Sequence, residues 1–136
     1  MQMKSSILLI IVSLSSFSVF AQDKYAEDAA KKFVAQFNSQ KYDDIFDSFS
    51  SRYQKKVTKE GLRSYLKQIK GMTGGFKSAH FKTKSYRLYS YFLIAKIEGI
   101  NADFQFRTDS DNKIDFISFQ RIGGSSSPPP IGSINK

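Results

Sequence analysis

An α+β fold, with three helices followed by a four-stranded antiparallel meander, is what this 136-residue chain predicts. Three observations carry the prediction. Apolar residues recur at helical spacing as far as Ile69; the cluster Gly71-Met72-Thr73-Gly74-Gly75 then interrupts the pattern; beyond it the residues turn aromatic, β-branched and alternating.

The first helix is marked by Tyr25, Ala29, Phe33 and Phe37, one every four residues, with Ala26, Ala30 and Val34 on the same face and a stop at Asn38-Ser39-Gln40. In the second, Tyr42, Ile45, Phe46 and Phe49 keep the i, i+3, i+4, i+7 rule. Asp43 and Asp44 suit the positive end of its dipole, and Asp47 shares their outer side. The third repeats the spacing at Leu62, Tyr65, Leu66 and Ile69, with Thr58 as N-cap and Glu60 in the first turn. Clustered glycine favours left-handed and turn conformations, so the helical half ends at Gly74-Gly75.

Four strands follow. Phe76 to Ser85 alternates loosely. Tyr86 to Glu98 is a long run with Tyr89, Tyr91, Leu93 and Ile97 on one side and Leu88, Phe92 and Ile94 on the other, the pattern of a strand covered on both faces. After a turn at Gly99-Ile100-Asn101, Ala102, Phe104 and Phe106 alternate with Asp103, Gln105 and Arg107. Asp109-Ser110-Asp111-Asn112 is turn chemistry, and Lys113 to Ile122 forms the last strand. Helices grouped ahead of an antiparallel sheet are the α+β arrangement.

Residues 1–21 read as a cleaved export signal. Lys4 is the positive n-region, Ile7 to Leu14 the apolar run, and Val19-Phe20-Ala21 the cleavage site before Gln22. The run is too short to span a hydrocarbon core of ~30 Å. The expected location is therefore periplasmic or extracellular. The remaining 115 residues suit one domain, expected over 22–122, and 123–136, with Gly123-Gly124-Ser125 and Pro128-Pro129-Pro130, reads as a disordered Gly/Ser/Pro-rich tail. The chain has no cysteine, which excludes disulfides, thiolate metal sites and cysteine nucleophiles. The formal charge is +9, or +8 once Lys4 leaves with the signal, a balance that attracts anionic partners such as lipid headgroups or envelope polymers. Export argues against nucleic acid as the partner.

Few groups carry chemistry. His80 is the lone histidine and sits among Lys77, Lys82 and Lys84 on a strand with no carboxylate to orient it, so a solvated strand residue is the plainer reading. A second histidine is lacking, and with it a zinc site. Asp109, Asp111 and Asn112 hint at a calcium loop, but Ile114 stands where the loop needs glycine and no glutamate closes it. This is hairpin-turn chemistry. Asp103 alternates with Phe104 and faces outward if that ring faces the core, whereas Asp115 shares a face with Ile117 and Phe119. On the third helix Lys59, Arg63, Lys67 and Lys70 fall within about 80° of one another and flank the apolar stripe, a basic face able to meet an anionic surface or simply to be solvated. Phosphate-loop, dinucleotide and nucleophile-elbow spacings do not occur.

The runs Phe33-Val34-Ala35-Gln36-Phe37-Asn38 and Tyr42-Asp43-Asp44-Ile45-Phe46, then Gly61-Leu62, Gly74-Gly75-Phe76 and Ile114-Asp115-Phe116, carry a resemblance over roughly residues 24–122. The chain resembles an uncharacterised bacterial family of exported proteins in the nuclear-transport-factor-2-like, or cystatin-like, superfamily. Its members often stand next to serine-hydrolase or peptidase-like domains. The resemblance implies a cone in which helices close the concave side of a curved sheet, allows a homodimer because such sheets often pair, and transfers no catalytic residue.

The expected function is an exported, non-catalytic small-ligand-binding or accessory domain. Phe33, Phe37, Phe46, Tyr65, Tyr89, Tyr91, Phe104 and Phe116 would line a hollow that takes a small apolar or amphipathic ligand or is filled by its own rings. One alternative is a small isomerase- or dehydratase-like enzyme, of the kind found among cone folds, using Asp115 with Tyr65, Tyr89 or Tyr91 as donor. The other is an envelope-binding module using Lys59, Arg63, Lys67 and Lys70. No motif calls for a cofactor or metal.

Overall fold

The computed structural model describes residues 24–123. The expected signal at 1–21, and the expected tail apart from Gly123, lie outside the described residues. Among the described residues four helices precede the sheet: α1 over 24–38, α2 Tyr42–Asp47, α3 Ser51–Gln54 and α4 Lys59–Thr73. The strands β1 Phe76–Ser85, β2 Leu88–Ala95, β3 Asn101–Thr108 and β4 Ile114–Gln120 follow. They form one sheet in the order β1-β2-β3-β4, each pair antiparallel. The chain is thus α+β, with helices packed on a four-stranded antiparallel sheet.

The helix count corrects the expectation of three. Helix α2 stops at Asp47, and Phe49 leaves its apolar stripe to form a parallel bridge with Ile114. The Ser48 hydroxyl donates back to Ile45 O at 2.6 Å, while Ser50 N–H donates to Ile114 O at 2.8 Å, drawing the chain toward β4. Ser50 then caps the short α3 by accepting the Tyr53 N–H at 3.1 Å. Four residues are too few to print a helical period.

The second strand is also shorter than its residue types suggest. Tyr86 and Arg87 form the β1–β2 turn, with Tyr86 at φ +60°. At the other end Lys96 N–H donates to Gly75 O at 2.8 Å and Ile97 N–H to Thr73 O at 3.0 Å, so the chain docks on the end of α4 rather than extending β2. Gly74, at φ +72°, closes α4 at that end, while at its start Thr58 accepts the Gly61 N–H at 2.9 Å as N-cap.

Alternation divides the sheet. Tyr91, Leu93, Phe104, Phe106, Ile117 and Phe119 are buried toward the helices. On the other face Ser90, Gln105 and Gln120 form a polar ladder, Gln105 donating to Ser90 at 3.2 Å and Gln120 to Gln105 at 3.4 Å. Between helices and sheet the rings stack: Phe33 on Phe104 with centroids 4.4 Å apart, Phe37 on Phe76 at 5.1 Å and Phe104 beside Phe119 at 4.9 Å.

Candidate functional site

Of the expected lining, Phe33, Phe37, Tyr65 and Phe104 are at most 2 % exposed and pack on one another and on Phe119. Their rings fill the interior. Tyr65 is further fixed by its hydroxyl, which accepts the Phe119 N–H at 3.3 Å; burial pushes the phenol up to about 12. Tyr89 and Tyr91 are buried beneath a groove of about 270 Å³ that Phe81 and Ala79 also line. Phe46 is half-buried under the Lys59 ammonium, 5.6 Å from the ring centre. Phe116 lies on the other face of the sheet from Ile117 and Phe119, with the Arg107 guanidinium 5.5 Å over its ring.

The space for ligands therefore lies outside the ring stack. A groove of about 620 Å³ runs between α1, α2 and the β3–β4 turn. Ala29, Phe33 and Ile114 give it an apolar floor, and Asp28, Asp44, Asp47, Lys32 and Lys113 stand around it. Its volume falls within the ~300–1,000 Å³ of small-molecule sites. A second cleft, about 480 Å³, opens where the start of α1 meets the two hairpin tips and shares Tyr25 and Asn112 with the first.

Asp115 is built into a different kind of site. Arg107 pairs with Phe116 and Thr108 with Ile114, so Asp115 is the extra residue of a β-bulge. The residue is 5 % exposed and its carboxylate meets α3: Ser50 Oγ donates to Oδ1 at 2.9 Å, Arg52 Nε to the same oxygen at 3.2 Å, and Arg52 Nη2 to Oδ2. Arg107 Nε adds a third charge 3.6 Å from Oδ2. The Arg52 hydrogen bonds hold the Asp115 carboxyl below the usual carboxylate range, against the opposing effect of burial. A proton-transfer role needs a pKa moved toward neutrality, the reverse direction. The arrangement acts as a fixed counter-ion that seats α3 on β4, and its residues Ser50, Arg52 and Tyr53 carry no pattern that sequence reading registers.

The other singled-out groups are placed plainly. Asp103 lies on the sheet face away from the helices and pairs with Lys82 at 3.0 Å. His80 is exposed on the edge strand β1, its Nε2 3.0 Å from Ser78 Oγ. Asp109 Oδ1 accepts the N–H groups of Asp111 and Lys113, both at 2.9 Å, closing the β3–β4 turn. Among the described residues no group of three or more His, Asp or Glu is placed to hold a metal ion, and no helix is long and apolar enough to cross a membrane. Of the basic face on α4, Arg63 binds Asp43 at 2.9 Å and Lys59 approaches Asp47 at 3.5 Å, which ties α4 to α2; Lys67 and Lys70 make no ion pair among the described residues.

These features define a small α+β domain with a closed aromatic core, external grooves and a structural ion cluster. Residues 30–116 match the family model described as protein of unknown function (DUF3887), and the chain belongs to that family. No curated protein and no solved structure matches the chain.

Proposed function

We infer that this chain is an exported, non-catalytic binding or accessory domain of the cone-shaped, cystatin-like type, and that it takes a small amphipathic ligand in the groove between α1, α2 and the β3–β4 turn. The observation that carries this reading is the groove itself: about 620 Å³, with an apolar floor of Ala29, Phe33 and Ile114 beneath a charged rim. With the interior filled by rings, this is the largest of the four outer grooves described. Three carboxylates, Asp28, Asp44 and Asp47, against Lys32 and Lys113 favour a ligand with a cationic or zwitterionic head. Export rests on Lys4, the Ile7 to Leu14 run and Val19-Phe20-Ala21, and the cone reading rests on helices preceding an antiparallel meander.

Two measurements test the proposal. Decyltrimethylammonium, titrated below its micelle concentration, should shift the amide resonances of Ala29, Gln36 and Ile114 saturably, and Ala29→Trp, which plugs the groove, should abolish the shifts without unfolding the domain. Shifts spread evenly over the protein, or unchanged in the Trp variant, would reject the groove. Intact-mass measurement of protein recovered from outside the cytoplasm should give an N-terminus at Gln22; a chain still beginning at Met1 would reject export with cleavage.

A further inference from the structure

We propose that the cleft at the hairpin-tip end of the sheet is a binding site for an acidic saccharide, a pyranose ring carrying a carboxylate. It is separate in chemistry from the larger groove. Its walls are Tyr25 at the start of α1, Lys84, Tyr86, Arg87 and Tyr89 around the β1–β2 tip, and Ser110 and Asn112 of the β3–β4 turn, enclosing about 480 Å³. That is room for one or two sugar rings by the scale of small-molecule sites.

Charge separates this cleft from its neighbours. Each of the other three grooves described has a carboxylate on its wall: Asp44 in the largest, Asp43 in that between α2 and α4, and Glu27 in that over Tyr91. Among the described residues that line this cleft, the ionised side chains are Lys84 and Arg87 alone. Neither forms an ion pair among the described residues; Lys84 instead stands over the Tyr89 ring, 5.3 Å from its centre. Two cations without counter-ions at a concave site select an anion, and guanidinium matches a carboxylate with two parallel hydrogen bonds.

The tyrosines select a ring. Tyr86 is 89 % exposed, its ring left out of the core, and Tyr25 at 51 % keeps half its surface open to the cleft. Tyr86 also has φ +60°, in a two-residue hairpin turn where glycine or asparagine is the comfortable choice. A bulky aromatic kept in a strained backbone and left in solvent has no structural employment. Its electron-rich face suits the C–H face of a sugar, while Ser110 and Asn112 supply hydroxyl and amide partners for its hydroxyl groups. Anionic bilayers also attract basic aromatic surfaces, but a concave cleft encloses a ligand of limited size better than it meets a plane.

Calorimetric titration of the full chain with a galacturonic acid tetramer, beside its neutral galactose counterpart, tests the assignment. The acidic oligomer should bind, the neutral one roughly tenfold more weakly, and Lys84→Ala or Arg87→Ala should each weaken the acidic oligomer by roughly tenfold, in line with loss of a charge-assisted contact. Galacturonate monomer should compete for the same site, which separates recognition of one ring from recognition of a polymer. Tyr86→Asn is the sharper variant: it removes the ring and relieves the left-handed backbone, so binding should fall while the melting temperature rises. Equal affinity for acidic and neutral oligomers, absence of binding, or indifference to Arg87→Ala would overturn the proposal. So would inorganic phosphate competing as well as galacturonate, which would mark a bare anion site, or phosphatidylglycerol vesicles binding more tightly than the tetramer through Arg87, which would mark a membrane surface.

Discussion

The Asn38 carboxamide brackets the backbone of Phe76: its Oδ1 accepts the Phe76 N–H at 2.9 Å and its Nδ2 donates to the Phe76 carbonyl at 2.8 Å. Thirty-eight residues separate the partners, so this is a tertiary clamp that joins the end of α1 to the first residue of β1. It also satisfies both polar groups of an edge-strand residue whose ring lies in the core at 1 % exposure. Asn38→Ala leaves both groups without partners and should destabilise the domain by ~2 kcal/mol. Asn38→Asp keeps the acceptor but sets a carboxylate against the Phe76 carbonyl, and should be at least as damaging. Urea unfolding of the three proteins at one pH measures the order.

The same clamp should make Gly75 resist substitution. A Cβ there would sit 2.7 Å from Asn38 Oδ1, an oxygen held in place by its bond to Phe76, and the backbone has φ +101°. Gly71 differs in every respect: it lies inside α4, and a Cβ added to it meets nothing within 4 Å. Gly75→Ala should cost ~2 kcal/mol or more. Gly71→Ala should stabilise by ~0.5–1 kcal/mol, the helix propensity difference. Opposite signs in paired denaturation curves are the expected outcome.

Asp115 should contribute to stability on the acid side. Arg52 and Ser50 lower its pKa in the folded protein, so the folded state releases this proton more readily than the unfolded chain. The stabilisation is therefore fully present above the unfolded value of ~3.9 and is lost as pH falls through the lower folded value. Asp115→Asn removes that dependence. It should destabilise at pH 7 by ~1–3 kcal/mol, because Arg52 is two-thirds exposed and stays solvated when its partner goes. As pH falls below about 4, the variant's unfolding midpoint should decline less than the parent's. A parallel decline in both proteins would mean that other carboxylates dominate.

The elements with long, clean periods were legible in the residues. Leu62, Tyr65, Leu66 and Ile69 mark the buried face of α4, and Thr58 caps it, because fifteen residues repeat one pattern and one side chain starts it. Helix α3 was not legible, since Ser50, Arg52 and Tyr53 acquire meaning only against a strand more than sixty residues away. Phe49 kept the helical spacing of α2 and still left the helix, because a bridge to Ile114 competes with one more helical turn. Period-two counting back from Phe119 placed Asp115 on the helix side, but the bulge and its arginines decide its chemistry. Nor could spacing alone tell whether eight rings leave a hollow or fill one: Phe33 meeting Phe104 at 4.4 Å is a fact of packing across the domain.

Two tyrosines finish the fold at the outer edge of β4, which among the described residues pairs with no strand beyond the single Phe49–Ile114 bridge. Tyr53 OH accepts the Ile117 N–H and Tyr65 OH the Phe119 N–H, each at 3.3 Å, so the helices cover an edge that would otherwise invite another chain. Burial raises both phenols, that of Tyr65 to about 12. Because the folded pKa lies above the unfolded value of ~10, the neutral hydroxyl stabilises fully below that pH and the contribution is lost as pH rises toward the folded value. Tyr65→Phe keeps the ring in the core and removes only the acceptor, so it should cost ~1–2 kcal/mol at neutral pH. Hydrogen exchange separates this from a general loosening: Phe119 N–H should lose more protection than Leu93 N–H, which lies in the interior strand β2. Equal losses at both amides would assign the effect to global stability instead of the edge.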